Sequence, residues 1–175
     1  MVNLMLCYPK MYKKRINDID YDKLKNIGIK CLAFDLDNTI ALIDQDIITK
    51  ETELLLRSLK NDFIIVIISN NREKRVKKYA DILECGYVCK AKKPFGYGFR
   101  KIKNRYNLKK CEIAIIGDQL ITDILGANLF NAYPILVDPM AKKDLKITAF
   151  NRLLERKVFE KYKKRGIMEK GEYYD

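Results

Sequence analysis

The chain contains no histidine. That absence excludes imidazole as a general base, a phosphohistidine intermediate and any His-ligated metal, so catalysis has only carboxylates, hydroxyls, lysine or an oxygen-held metal to use. It also lacks a run of about eighteen apolar residues, which excludes a transmembrane helix. A signal-peptide pattern is missing too, because the apolar stretch Val2 to Cys7 is short and soon meets Pro9 and Lys10. An intracellular protein is expected. The five cysteines (Cys7, Cys31, Cys85, Cys89, Cys111) are scattered. Cys85 and Cys89 have no second pair to complete a zinc site, and a thiol inside an apolar run behaves as a small hydrophobe. Repeats, low-complexity tracts and Gly/Ser linkers are absent as well. Nothing divides the 175 residues, so one domain over 1–175 is expected, with 48% apolar residues to fill its core.

Acidic residues are outnumbered, 23 against 35 basic, for a formal charge of +12. Such a charge attracts nucleic acid, anionic lipid or a phosphorylated substrate without choosing among them, and a well-solvated lysine-rich surface accounts for it equally.

What the chain does have is a regular alternation of apolar, β-branched runs with amphipathic stretches. A short helix falls near 21–26 and strands over 31–36, 63–69, 86–89, 112–117 and 133–137. Helices fall near 49–60, 72–83, 96–106, 120–129 and 145–162. That order predicts βαβ units and an α/β, doubly wound parallel sheet with helices on both faces. Within 120–129, Leu120, Ile124 and Leu125 share a face and Gly126 allows close packing.

Polar residues gather where the strands end. The run Cys31 to Phe34 leads into Asp35-Leu36-Asp37-Asn38-Thr39, and buried parallel strands present ligand-binding groups at their carboxyl ends. Asp is a poor strand former and costly to bury unpaired, so packing gives no reason for two here. A bound divalent cation would give one; a solvated turn is the competing reading. The next strand ends in Ser69-Asn70-Asn71, where either Asn also suits the N-cap of the following helix. Ala91-Lys92-Lys93-Pro94 precedes helix 96–106, and Ile113 to Ile116 runs into Gly117-Asp118, with Asp123 beyond. Each segment is weak alone. Together they place Asp, Ser, Lys and Asp at the ends of successive elements of one sheet.

In that order the segments resemble the four motifs of the haloacid dehalogenase (HAD) superfamily. Phe-Asp-Leu-Asp-Asn-Thr, Ser-Asn-Asn, Ala-x-Lys-Pro and Gly-Asp-Gln-Leu-x-Thr-Asp are similar to the YqeG-type HAD-IIIA phosphatases. So are Tyr8-Pro9, the lead-in from Ile19-Asp20 to Gly28-Ile29-Lys30, and the tail around Phe150-Asn151-Arg152. The resemblance implies a Mg2+-dependent phosphatase working through an aspartyl-phosphate. Asp35 would be the nucleophile and Asp37 the acid and base, with Ser69 and Asn70 at the phosphate. Lys93 would neutralise the transferring group, in preference to Lys92, because the family pattern sets the lysine directly before Pro94. Asp35, the Asp37 carbonyl and Asp118 would hold Mg2+, Asp123 would be a ligand or its neighbour, Thr39 would order the first loop, and backbone N–H groups would complete a phosphate nest.

Only about ten residues separate Thr39 from the next helix, and 69–93 holds one helix and one strand, so no cap domain is expected. An open site suits a large substrate or one presented on a surface. Relatives include phosphatidylglycerophosphatases, which makes phosphatidylglycerophosphate the expected substrate and phosphatidylglycerol the product. A cytoplasmic protein, peripheral at the inner face of an anionic membrane, follows from that. Another phosphorylated substrate, or a HAD-fold scaffold binding RNA or a ribosome with weak activity, stays open. A receiver-like signalling domain ranks lower, because its acidic pair comes from an earlier strand. The terminal stripe Ile147, Phe150, Leu154, Val158 is expected to pack on the sheet, with lipid as the alternative contact.

Overall fold

Six parallel strands form one sheet in the computed structural model, which describes residues 4–43, 47–141 and 149–175. They are β1 (Met11–Lys13), β2 (Cys31–Phe34), β3 (Ile64–Ile68), β4 (Gly86–Val88), β5 (Ile113–Gly117) and β6 (Tyr133–Val137), in the spatial order β1-β6-β5-β2-β3-β4. The helices are α1 (Tyr21–Asn26), α2 (Lys50–Leu59), α3 (Glu73–Leu83), α4 (Tyr97–Arg105), α5 (Leu125–Phe130) and α6 (Ala149–Lys164).

The strands read as continuous apolar runs because both faces of the sheet are covered. From β2, Leu32 and Phe34 point to the face where Leu24 of α1, Leu56 of α2 and Val76 and Tyr79 of α3 are buried. Cys31 and Ala33 point to the other, against Phe99 and Ile102 of α4 and Phe130 of α5. A Cβ at Gly126 would stand 2.9 Å from the Phe99 ring and 3.1 Å from Pro94 Cα, so the missing side chain lets α5 lie close over the start of α4. From β2 the chain moves outward through β3 to β4, then returns to add β5 and β6 on the other side. The order therefore reverses between β2 and β5, the place where open α/β sheets form their binding crevice.

Helix α1 and strand β6 have the expected bounds, and most other elements agree within a residue or two. Several differences have clear causes. Strand β2 stops at Phe34, because Asn38 turns left-handed (φ 60°) and the amides of Ile40 and Ala41 fold back onto the Leu36 carbonyl at 3.1 and 3.0 Å. These backbone bonds order the loop; the Thr39 hydroxyl expected to do so is buried without a partner. Neither Asn70 nor Asn71 caps α3, whose N-cap position is Arg72 without a side-chain cap bond. The helix expected over 120–129 is a π-helical turn, Leu120–Ile124, followed by α5. Strand β1, three residues long, has no periodicity to announce it.

The end of the chain folds back as well. Tyr12 and Tyr174 exchange backbone bonds of 3.0 and 2.9 Å, which covers the outer edge of β1. Of the expected apolar stripe on the last helix, Ile147 and the side chain of Phe150 lie outside the described residues. Val158, with Phe159 and the buried Tyr162, packs onto Cys7, Leu120, Ile124 and Leu136, so this part of α6 faces the protein. Among the described residues no helix is long and apolar enough to cross a membrane.

Candidate active site

Asp35 follows the last residue of β2 and stays in register with the sheet, its amide donating to the Ile116 carbonyl at 2.8 Å. Lys93 reaches it from the loop after β4. The buried Lys93 Nζ stands 2.6 Å from Asp35 Oδ1, 2.6 Å from Asp123 Oδ1 and 3.3 Å from the Ile68 carbonyl oxygen. Lys92 is exposed and lies over the Tyr97 ring, so the two lysines divide as the motif order suggests. Asn70 Oδ1 accepts from the Lys93 amide at 2.8 Å and its Nδ2 donates to the Lys93 carbonyl at 3.2 Å. Asn70, expected at the phosphate, uses its side chain to clasp the backbone of Lys93. Ser69 is buried at the end of β3, with its hydroxyl accepting from the Asn71 amide at 3.2 Å.

Asp118 follows the last residue of β5 and Asp123 comes back toward it through the π-turn. The wider turn swings the Asp123 carboxylate over Gly117, where a Cβ would fall 2.3 Å from its Cγ. Gly117→Ala is therefore expected to push Asp123 off Lys93 and off the Gln119 amide, which donates to it at 3.2 Å. Urea unfolding should register a loss of about 1–3 kcal/mol, the usual cost of overpacking a dense site.

Oxygen atoms of Asp35, Asp118 and Asp123 lie within 4.8 Å of one another, all buried. Burial pushes the Asp35 carboxyl up to about 7, against the pull of Lys93 and with the Asp123 charge adding to the rise. Burial also raises Asp118, against Arg152 and with help from Asp35 and Asp123. At Lys93 burial opposes the charge, but Asp123 and Asp35 overcome it and hold the ammonium above its usual range. Asp118 Oδ1 is buried with no partner. Converging hard oxygens that disfavour one another's charge, one of them orphaned, suit a divalent cation such as Mg2+.

Two arginines outside the four motifs complete the surroundings. Arg75 of α3 pairs with Asp37, its Nη2 2.6 Å from Oδ1, while Asn71 Nδ2 donates to Oδ2. Arg152 of α6 pairs with Asp118 Oδ2, donates to the Asp118 carbonyl at 2.9 Å and meets Glu155 at 2.8 Å. The sequence signal for Arg152 was its place in the family-like tail; for Arg75 it was only a basic residue soon after Ser69.

A parallel sheet that gathers Asp35, Lys93, Asp118 and Asp123 at its switch point, in a chain matching phosphatase relatives, belongs to a phosphatase of the HAD superfamily, a phosphoric monoester hydrolase. More narrowly, the chain belongs to the family described as mitochondrial PGP phosphatase, whose model matches residues 1–140. It is 38% identical over 159 residues to "Probable phosphatase YqeG" of Bacillus subtilis (strain 168), covering 90% of this chain and 92% of that one. Solved structures share the fold at lower identity. A subfamily III A hydrolase of the HAD superfamily from Legionella pneumophila is 18% identical with a TM-score of 0.50, covering 86% of this chain and 94% of that one. The cobalt-bound deoxy-D-mannose-octulosonate 8-phosphate phosphatase (YrbI) from Haemophilus influenzae is 13% identical with a TM-score of 0.51, covering 85% and 96%.

Proposed function

We propose that this phosphatase removes the terminal phosphate of phosphatidylglycerophosphate through an aspartyl-phosphate on Asp35, with Mg2+ as cofactor. The observation that carries the mechanism is the placement of Asp35 at the switch point, with Lys93 on its Oδ1 and Asp118 beside it. An Asp35 oxygen forms the new bond to phosphorus as the bond to the leaving oxygen breaks, and Asp37 gives that oxygen its proton. Asp37 then takes a proton from the water that attacks phosphorus, and Asp35 is released. Lys93 offsets negative charge on the transferring group, and the Ser69 hydroxyl donates to a phosphate oxygen. Asp35, Asp118 and Asp123 would hold Mg2+, which when bound supplies the positive charge that lets a phosphate dianion approach a carboxylate. The YrbI phosphatase that shares this fold is known in a cobalt-bound form, in keeping with a metal-assisted reading.

The substrate rests on different support. The matched family carries PGP phosphatase in its description. Among the described residues nothing is inserted between β3 and β4 beyond α3, which supports a site without a cap there. Phe95, two residues past Lys93, is 80% exposed. Beside it runs a groove of about 500 Å3 lined by Arg100, Lys103, Lys110 and Leu129, with no acidic residue in its walls. An exposed aromatic amid cations, adjoining the lysine at the nucleophile, fits an anionic lipid surface.

Turnover of 4-nitrophenyl phosphate is expected to need Mg2+ and to stop with chelator. Mg2+ should raise the melting temperature of the parent protein and leave that of Asp118→Asn unmoved. Phosphatidylglycerophosphate in vesicles should be hydrolysed far faster than sugar phosphates or nucleotides, and Phe95→Ser should weaken vesicle binding while sparing 4-nitrophenyl phosphate. A soluble metabolite cleaved with kcat/KM above about 10⁴ M⁻¹s⁻¹ would remove the lipid assignment. Tight RNA binding without lipid turnover would favour the scaffold reading.

A further inference from the structure

Asp37 does not stand free beside the nucleophile. Arg75 reaches its Oδ1 with Nε at 3.1 Å and Nη2 at 2.6 Å, and the Asn71 amide donates to Oδ2. The same Arg75 Nη2 lies 3.3 Å from the carbonyl oxygens of Leu42 and Ile43, in the loop that carries Asp37. The guanidinium also rests over the Tyr79 ring, 5.4 Å from its centroid, and Tyr79 is buried in the core. One side chain thus ties a carboxylate and its loop to a helix fixed by core packing.

We propose that Arg75 is a positioning residue for proton transfer, acting through Asp37 and not by touching the phosphate. The inference rests on the reading of Asp37 as general acid and base. A proton donor works only within hydrogen-bond reach of the leaving oxygen, and a side chain left to its own staggered wells spends little time there. A misplacement of about 1 Å can cost roughly 10²-fold. With Oδ1 given to Arg75, Oδ2 is the oxygen that carries the proton. The Asn71 amide that donates to an ionised Oδ2 can, turned over, accept from a protonated one. A planar guanidinium presents Nε and Nη2 to one carboxylate together, which an ammonium does not.

A structural tie alone would slow every substrate by a similar factor. An effect exerted through Asp37 falls on leaving groups that need a proton. Nitrophenolate leaves readily as an anion, whereas a primary alkoxide does not. The test compares kcat/KM, which reports steps through phosphoryl transfer, for 4-nitrophenyl phosphate and for glycerol 3-phosphate. In Arg75→Ala the alkyl ester should lose about 10²-fold or more and the aryl ester less than about tenfold, within the range of general acid catalysis. Arg75→Lys should recover part of the alkyl loss, and Asp37→Asn should show the same discrimination. An equal loss on both esters in Arg75→Ala, with Asp37→Asn still discriminating, overturns the proposal and leaves the acid–base reading intact. If Asp37→Asn does not discriminate, the acid–base reading fails and Arg75 falls with it. Should Arg75→Ala not fold, Arg75→Gln and Asn71→Ala carry the same comparison.

Discussion

Asp35→Asn is expected to abolish phosphatase activity, a loss on the order of 10⁴-fold or more, while leaving the metal-free protein at least as stable as its parent. The first half follows from its place as the proposed nucleophile: an amide oxygen does not form the acyl phosphate, and among the described residues the other carboxylate on Lys93, Asp123, does not stand at the end of β2. The second half follows from electrostatics. Burial disfavours the ionised Asp35 and the Asp123 charge adds to the strain, while Lys93 keeps a second partner in Asp123 when Asp35 is neutral. A carboxyl whose folded pKa is raised to about 7 favours the fold at low pH, and that contribution is lost as pH rises from the usual carboxylate range through 7. In chelator, the melting temperature of Asp35→Asn should therefore pull ahead of the parent's between about pH 4 and 7. A phosphate trapped on residue 35 of the parent enzyme completes the test. Residual turnover near the parent rate, or covalent phosphate mapped elsewhere, would reject the mechanism.

Much of this architecture was legible in the sequence because a doubly wound sheet writes itself plainly. Both faces of β2, β3 and β5 are covered, so each strand is an uninterrupted apolar run, and each run ends in the polar residue it delivers to the crevice. Asp35, Ser69 and Asp118 could be placed from those strand ends, whereas Lys93 was chosen over Lys92 from the family-like Lys-Pro pattern, and the structure brings Asp35, Lys93, Asp118 and Asp123 into one buried cluster. What escaped was anything set by non-local contact. Strand β1 exists because β6 and the returning Tyr174 pair with it, and three residues leave no periodic trace. The π-turn was invisible because Leu120, Ile124 and Leu125 suit an α-helical face; only the fit of Asp123 over Gly117 calls for the wider turn. The side-chain partner of Asn70 was hidden for a similar reason: it is the backbone of a residue 23 positions away. Arg75 and Arg152 carry no motif of their own, since an arginine on a helix is ordinarily a solvated one.

Arg152→Ala should produce the largest loss of stability among single changes near the site. The Asp118 side chain is fully buried, and its Oδ2 and main-chain carbonyl both lean on this guanidinium. Glu155, itself buried, accepts from the same group at 2.8 Å, and its second oxygen has no partner. Removing one member of a buried ion pair strands the other, at a cost of about 3–5 kcal/mol. Here two carboxylates are stranded, although a cavity of about 810 Å3 bordered by Arg152 and Glu155 would let water relieve part of the strain. Urea unfolding of the metal-free protein should show the loss, and the added change Asp118→Asn should restore part of it, because the neutral amide no longer needs a counter-charge. Mg2+ held by Asp118 would supply that charge, so its stabilising effect should be larger in Arg152→Ala than in the parent. An Arg152→Ala protein with an unchanged urea midpoint would show that α6 only leans against the site; a smaller Mg2+ effect would show that Arg152 aims the Asp118 carboxylate and does not substitute for the cation.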